Sequence, residues 1–295
     1  MKPTNQYGGH SMVTPLRRVM VHSPEASGWF RTEQTRRWRE LGYLHEPDAA
    51  AAQAQHDRLQ AELTAVGAEV LSLGEGAGLS LDAVYAHDAS LVTNYGAICL
   101  RMGKPSRTAE PHQHGKRYES LGIPILGAIE EPDTAEAGDM VWLDQTTLLV
   151  GRGYRTNGAG IEQLRALLGP KGIEILSAPL PHGRGSGSCL HLMSLISLLD
   201  ERTALVDLPW LSVQTVELLS ERNLRLIEMD PSERDSLACN VLALGNGKLL
   251  AFEENPKTNF RLRQLGFDVI AVPGSELGMN GGGGPTCLTR PLLRG

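Results

Sequence analysis

Five polar residues, spaced almost evenly along the chain, constrain its fold more than any other feature. Asp88, Asp139, His191, Asn240 and Cys287 recur at intervals of 47 to 52 residues, each at the entrance to a segment that reads as a β-hairpin. Four hairpins are contiguous: SLVTNYGAICLRM, MVWLDQTTLLVG, LMSLISLLDERTALVD and VLALGNGKLLAF. The last turns at Asn246-Gly247, a strong two-residue turn signal. The fifth has to be assembled from the two ends of the chain, LTRPLL and LRRVMVHS. Between hairpins the pattern is helix, break, apolar strand. Leu59, Leu63 and Val66 share a helical face before Gly67 and AEVLSL, and HQHGKRYES, IEQLRALLG, VQTVELLSER and FRLRQLG each precede a similar strand. A repeat of this length points to a radial architecture. The expected fold class is α/β, a five-module ββαβ propeller with pseudo-fivefold symmetry. It is read as one domain over residues 1–295, its ring closed by pairing the N- and C-terminal segments, which removes open sheet edges. An ordinary βαβ fold with coincidental spacing gives no reason for polar residues to fall at matching points.

Equivalent positions in such a ring meet near its axis, so five sequence-distant polar groups are expected in one pocket. The rest of the composition narrows what that pocket serves. The 295 residues carry a formal net charge of −6 with no basic run, which argues against nucleic acid or an anionic membrane as partner. No apolar stretch reaches roughly 18 residues, and MKPTNQYGGHSMVTP has no apolar signal region, so a cytoplasmic protein is expected.

The chemistry centres on Cys287. None of the four cysteines, Cys99, Cys189, Cys239 and Cys287, has C-x-x-C spacing, and a lone cysteine is ordinarily a small buried hydrophobe. Cys287 differs because Gly281 to Gly284 run up to it, and four glycines permit positive φ and close backbone approach. A thiolate there needs an acid/base partner, and the repeat supplies His191. The same repeat brings Asp88 and Asp139, with Glu136 nearby. Carboxylates around a thiolate disfavour it unless the substrate is a cation. A planar guanidinium satisfies both carboxylates through paired hydrogen bonds and favours the attacking thiolate. His112 and His114 suggest a metal pair, but with no third ligand they read as a solvated helix start, and no metal is expected. The segment HGRGSGSC at 182–189 reads as a mobile lid; as a phosphate nest it lacks the Gly-Lys-Ser/Thr of a P-loop.

The pieces DASLVTNYGAICLRMGKPSRTAE, EAGDMVWLDQTTLLVGRGYRTN, the His191 segment and GGGGPTCLT together resemble the guanidine-modifying superfamily of arginine deiminases, dimethylarginine dimethylaminohydrolases and amidinotransferases, over nearly the whole chain. The resemblance implies the pentein fold, the same five-module propeller. It implies Cys287 as nucleophile, His191 as acid/base, and Glu136 and Asp88 as guanidinium ligands. It also implies Arg107 and Arg155 as the clamp on a substrate carboxylate. Asp139 and Asn240 are expected as further substrate-binding residues. Met193 stands two residues after His191, where deiminases carry an Asp. One charged acceptor is therefore missing, and a methylated nitrogen is expected to pack on the thioether. His87 stands where many dimethylarginine hydrolases carry Glu, and Ala137 replaces a usual Gly. The expected activity is hydrolysis of an Nω-substituted arginine, such as dimethylarginine, to citrulline and an amine through a covalent thiouronium, with no cofactor. The alternatives are arginine deimination, amidino transfer to an amine, and a non-enzymatic ligand-binding propeller. The expected partner is a small guanidine, and a homodimer is compatible with it.

Overall fold

The computed structural model describes residues 6–187 and 190–295. Five three-stranded sheets repeat one plan: an antiparallel hairpin whose second strand leads through a helix into a third strand parallel to it. The first sheet joins the two ends of the chain. β1 (Leu16–Val21) pairs in parallel with β2 (Glu69–Ser72) and antiparallel with β15 (Arg290–Arg294). The second holds β3 (Ser90–Thr93), β4 (Gly96–Cys99) and β5 (Ile125–Ala128). The third holds β6 (Met140–Asp144), β7 (Thr147–Arg152) and β8 (Glu174–Pro179). β9 (Ile196–Asp200), β10 (Thr203–Val206) and β11 (Arg225–Glu228) form the fourth, and β12 (Leu242–Gly245), β13 (Lys248–Phe252) and β14 (Asp268–Val272) the fifth. This is the five-module propeller expected from the repeat.

Local chemistry accounts for the elements. Between β12 and β13, Asn246 and Gly247 both adopt positive φ (54° and 75°), the backbone a tight two-residue hairpin requires. Asp48 caps the helix Ala49–Ala65 by accepting from the amides of Ala50 and Ala51, and Asn157 and Ser212 cap Gly158–Leu168 and Val213–Glu221. Ile161, Leu164 and Leu168 lie on the inward stripe of Gly158–Leu168 and are buried. Each such side chain contributes about 1.5–3 kcal/mol against the exposed state.

One feature was not anticipated. Residues 8–13 lie across the ring axis, where the His10 ring stacks on Trp142 with centroids 4.1 Å apart. Its Nδ1 donates to the Gln145 carbonyl and its Nε2 accepts from the Asn94 amide, which defines the tautomer.

Candidate active site

The five residues at the hairpin entrances meet through a closed chain of hydrogen bonds that passes from module to module. The His87 amide donates to the Cys287 carbonyl (3.1 Å), and the Ala137 amide to the Asp88 carbonyl (2.9 Å). The Leu192 amide donates to Asp139 Oδ1 (2.9 Å). Asn240 Nδ2 donates to the Met193 carbonyl (3.3 Å), and the Thr286 amide donates to Asn240 Oδ1 (3.0 Å). The circuit returns to Cys287. Each link joins one module's entrance to the next, so the pseudo-fivefold repeat itself sets the geometry of the site.

Within this ring Asp88, Glu136 and His191 are buried, and their ligating atoms lie within 4.8 Å of one another. His191 Nε2 donates to Glu136 Oε2 at 2.8 Å, while Nδ1 lies 3.9 Å from Asp88 Oδ1. Each carboxylate is backed by an arginine. Arg107 donates to Asp88 Oδ2 at 2.6 Å, and Arg155 donates to both Glu136 oxygens at 3.2 and 3.0 Å. Burial works against the charge on Asp88, but Arg107 and then His191 outweigh it and hold the carboxyl below its ordinary value. Glu136 is likewise opposed by burial and drawn well below its ordinary value by the His191 hydrogen bond, His191 charge and Arg155. Both are therefore anionic at neutral pH. Asp88 Oδ1 is a buried acceptor with no hydrogen-bond partner among the described residues. Such an atom is costly unless something completes it. Two carboxylates and an imidazole are a donor set able to hold a cation, and among the described residues no other group of three is this compact.

The turn beneath His191 explains the Gly-Asp that follows Ala137. A Cβ on Gly138 would fall 2.3 Å from His191 Nδ1 and 2.8 Å from Asp88 Oδ1, so only glycine lets the ring and carboxylate approach. The glycines before Cys287 act in the same way, mostly through the close backbone approach that four glycines permit. Only Gly282 among them has positive φ, at 82°. Gly281 and Gly283 lie against the Tyr85 ring, where a Cβ would come within 2.1 and 2.4 Å, and Gly284 lies against Asn240. The run exists to let Tyr85 and Asn240 close on the thiol loop. Asn240 Nδ2 also donates to Cys287 Sγ at 3.5 Å. Its orientation follows from its neighbours: the Thr286 amide can only donate and the Met193 carbonyl can only accept, so the N–H side faces the sulfur.

Several expected roles change. Arg107 does not reach for a substrate carboxylate: besides Asp88 it holds both Glu110 oxygens and the Tyr85 carbonyl, and it is buried behind the site. Arg155 does line the cavity of ≈ 550 Å³ that opens over Asn240, together with Lys104, Leu195 and Trp210. Its size is ordinary for a small-molecule site. Lys104, which sequence reasoning passed over, pairs with Asp82 at 2.7 Å. Asp139, expected at the substrate, has its carboxylate occupied from within the fold. Thr156 and the Leu192 amide satisfy its oxygens, and burial pushes its carboxyl up to about 6. Met193 and His87 line a small axial cavity rather than the one lined by Arg155 and Asn240. His87 donates from Nδ1 to the Thr289 carbonyl, and burial and Arg290 hold its imidazole down to about 3. His112 is exposed and His114 buried against Ser90, so the two do not face a common ligand and His114 is not solvated. The glycine-rich 182–189 segment includes Ser188 and Cys189, which lie outside the described residues, so the lid expectation falls there.

Comparisons with known proteins agree with this fold. A family model described as arginine deiminase matches residues 204–294. The N(G),N(G)-dimethylarginine dimethylaminohydrolase of Streptomyces coelicolor is 32% identical over 225 residues, covering 76% of this chain and 80% of that protein. The arginine deiminase of Listeria innocua is 28% identical over 254 residues, 72% of this chain, and the match spans 61% of that protein's length. The solved N-terminal domain of ArgZ, a cyanobacterial arginine dihydrolase covalently bound to a reaction intermediate, superposes with a TM-score of 0.80 at 20% identity. That match covers 94% of this chain and 98% of that one, and carries the fold.

Proposed function

Since the chain belongs to the guanidine-modifying superfamily of arginine deiminases and dimethylarginine dimethylaminohydrolases, we propose that it hydrolyses a guanidine C–N bond by covalent catalysis at Cys287. The observation that carries this reading is Asp88 Oδ1, unpartnered among the described residues, beside Glu136 and His191. A guanidinium N–H completes Asp88, and a second N–H reaches Glu136, which places the guanidinium in a slot already bounded by two ionised carboxylates.

The Cys287 thiolate attacks the guanidinium carbon to form a C–S bond. His191 gives a proton to the departing nitrogen, the C–N bond breaks, and an amine or ammonia leaves a thiouronium on the sulfur. His191 then takes a proton from water, the hydroxide adds to the same carbon, and the C–S bond breaks. The thiolate is regenerated and a ureido product leaves. Asn240 donates to the sulfur through both steps, and Arg155 meets the substrate carboxylate.

The substrate we propose is an Nω-substituted arginine such as dimethylarginine, giving citrulline and an amine. Two carboxylates, Asp88 and Glu136, converge on the slot, and Met193 supplies none where a third would stand. A fully unsubstituted guanidinium then leaves N–H donors unmatched, at about 1–3 kcal/mol each. We place the enzyme in the cytoplasm, a setting supported by free thiols at Cys99 and Cys239. No helix is long and apolar enough to cross a membrane among the described residues.

The test is kcat/KM for dimethylarginine, monomethylarginine and arginine, measured side by side with Cys287→Ser. The wild type is expected to favour a methylated substrate, and the variant to stay folded while losing activity by several orders of magnitude. A tenfold preference for arginine replaces the substrate with that of a deiminase, and full activity in Cys287→Ser overturns the mechanism.

A further inference from the structure

β15 carries two arginines, Arg290 and Arg294, on the face it turns toward the ring axis, and both are buried. Arg290 donates to the His87 and Ser90 carbonyls, and Arg294 to those of Thr14 and Ala243. Neither meets a carboxylate within 4.0 Å among the described residues, and residues 1–5, 188 and 189 include no Asp or Glu. Asp88, whose field reaches Arg290, is already committed to Arg107. Burial, and for Arg294 the neighbouring Arg290, press both guanidiniums downward from their ordinary range. Two buried positive charges held by carbonyls alone are an expensive arrangement.

Both side chains line one small cavity on the axis, of ≈ 20 Å³, between the segment at residues 8–13 and the underside of the active-site ring. Arg290 Nε is buried without a hydrogen-bond partner among the described residues. Ser11 lines the same cavity. Its hydroxyl oxygen accepts from the amides of Val13 and Thr14, which leaves its proton to donate. A space of this volume admits one particle about the size of a water molecule. Sulfate, phosphate and carboxylates are too large for it.

We propose that this cavity is a binding site for a single monoatomic anion, a halide, held at the ring axis by Arg290, Arg294 and the Ser11 hydroxyl. The anion compensates both guanidiniums at once and joins the terminal strand β15 to the N-terminal segment that crosses the axis. The site is separate from the catalytic cavity, and the inference does not depend on the proposed reaction.

The probes are chloride and bromide. Thermal unfolding of the full chain is followed in NaCl, NaBr and sodium gluconate at constant ionic strength. Both halides are expected to raise Tm saturably, by roughly 3 °C or more at ten to a hundred times their Kd, with gluconate giving no such rise. Crystals soaked in NaBr are expected to show an anomalous peak between Arg290 and Arg294. Arg294→Met removes the halide response. Because that variant can fail to fold, Ser11→Ala is run beside it, with an expected weakening of apparent affinity by several-fold. The same Tm in halide and gluconate, or a bromide-soaked axis with no anomalous peak, overturns the proposal in favour of water alone.

Discussion

Asn240→Asp is the perturbation that best separates a thiolate-supporting role from a substrate-binding one. The replacement keeps the side chain's size and leaves one oxygen to accept from the Thr286 amide and hydroxyl, now at 3.0 and 2.6 Å. The loop carrying Cys287 therefore keeps its anchor. What changes is the group that faces Sγ at 3.5 Å and the Met193 carbonyl at 3.3 Å, a donor in the wild type and an acceptor in the variant. A hydrogen bond to a charged partner contributes about 1.5–3 kcal/mol, so its loss alone lowers kcat/KM by roughly 10- to 150-fold. Repulsion between a new carboxylate and the thiolate adds up to about 5 kcal/mol at 3.5 Å in an effective dielectric near 20, a ceiling because the carboxyl can take up a proton instead. Turnover and the pH dependence of Cys287 alkylation by iodoacetamide are measured together. The expected result is a fall in kcat/KM of at least tenfold, with alkylation moved to higher pH and the folded state retained. Alkylation unchanged with only KM raised would return Asn240 to the substrate-binding role expected from the sequence. Activity within threefold of wild type would refute any part for it in catalysis.

The other perturbations test the remaining geometry. Arg107→Ala strips a buried guanidinium from Asp88 and Glu110 and should cost about 3–5 kcal/mol of stability, read by denaturant unfolding. Arg155→Ala should instead weaken carboxylate-bearing substrates relative to their decarboxylated analogues, by roughly 2–5 kcal/mol in kcat/KM; equal losses for both would dismiss the carboxylate contact. Gly138→Ala must displace His191, and a misplacement of about 1 Å costs on the order of 100-fold in rate. An alanine variant with wild-type kcat would mean that the His191 position is not critical. Burial disfavours the Asp139 charge and pushes its carboxyl up from its ordinary value to about 6 in the fold. The folded state thus holds the proton more tightly, and this contribution is greatest below about pH 4 and is lost as pH rises through 6. Asp139→Asn should flatten the fall in stability between pH 4 and 7, and an unchanged slope would show that another group sets it.

How much of this was legible before folding depends on whether the signal was local or relational. The helices and hairpins were readable because capping, turn chemistry and the burial stripe act over a few residues, as at Asp48, at Asn246-Gly247 and along Ile161, Leu164 and Leu168. The module plan was readable because the same local signals recur at one period, and a repeated unit has few ways to hide its apolar faces other than a ring. That periodicity also gave the list of residues near the axis, since matching positions in a ring converge.

What each of those residues does was not legible, because a role depends on partners that sequence spacing does not reveal. Arg107 and Arg155 sit in similar motif contexts, yet Arg107 is tied up by Glu110 three residues on, while Arg155 lines the cavity. Asp88 and Asp139 occupy equivalent points in successive modules. Thr156 and the Leu192 amide complete Asp139, and only Asp88 keeps a bare oxygen toward His191. The pocket side of Met193 and the reason for the glycines before Cys287 were likewise decided by what packs against them, Tyr85 and Asn240 above all. Periodicity, a property of the backbone, is written along the chain. Hydrogen-bond partners and clearances of a few tenths of an ångström exist only once the ring has closed.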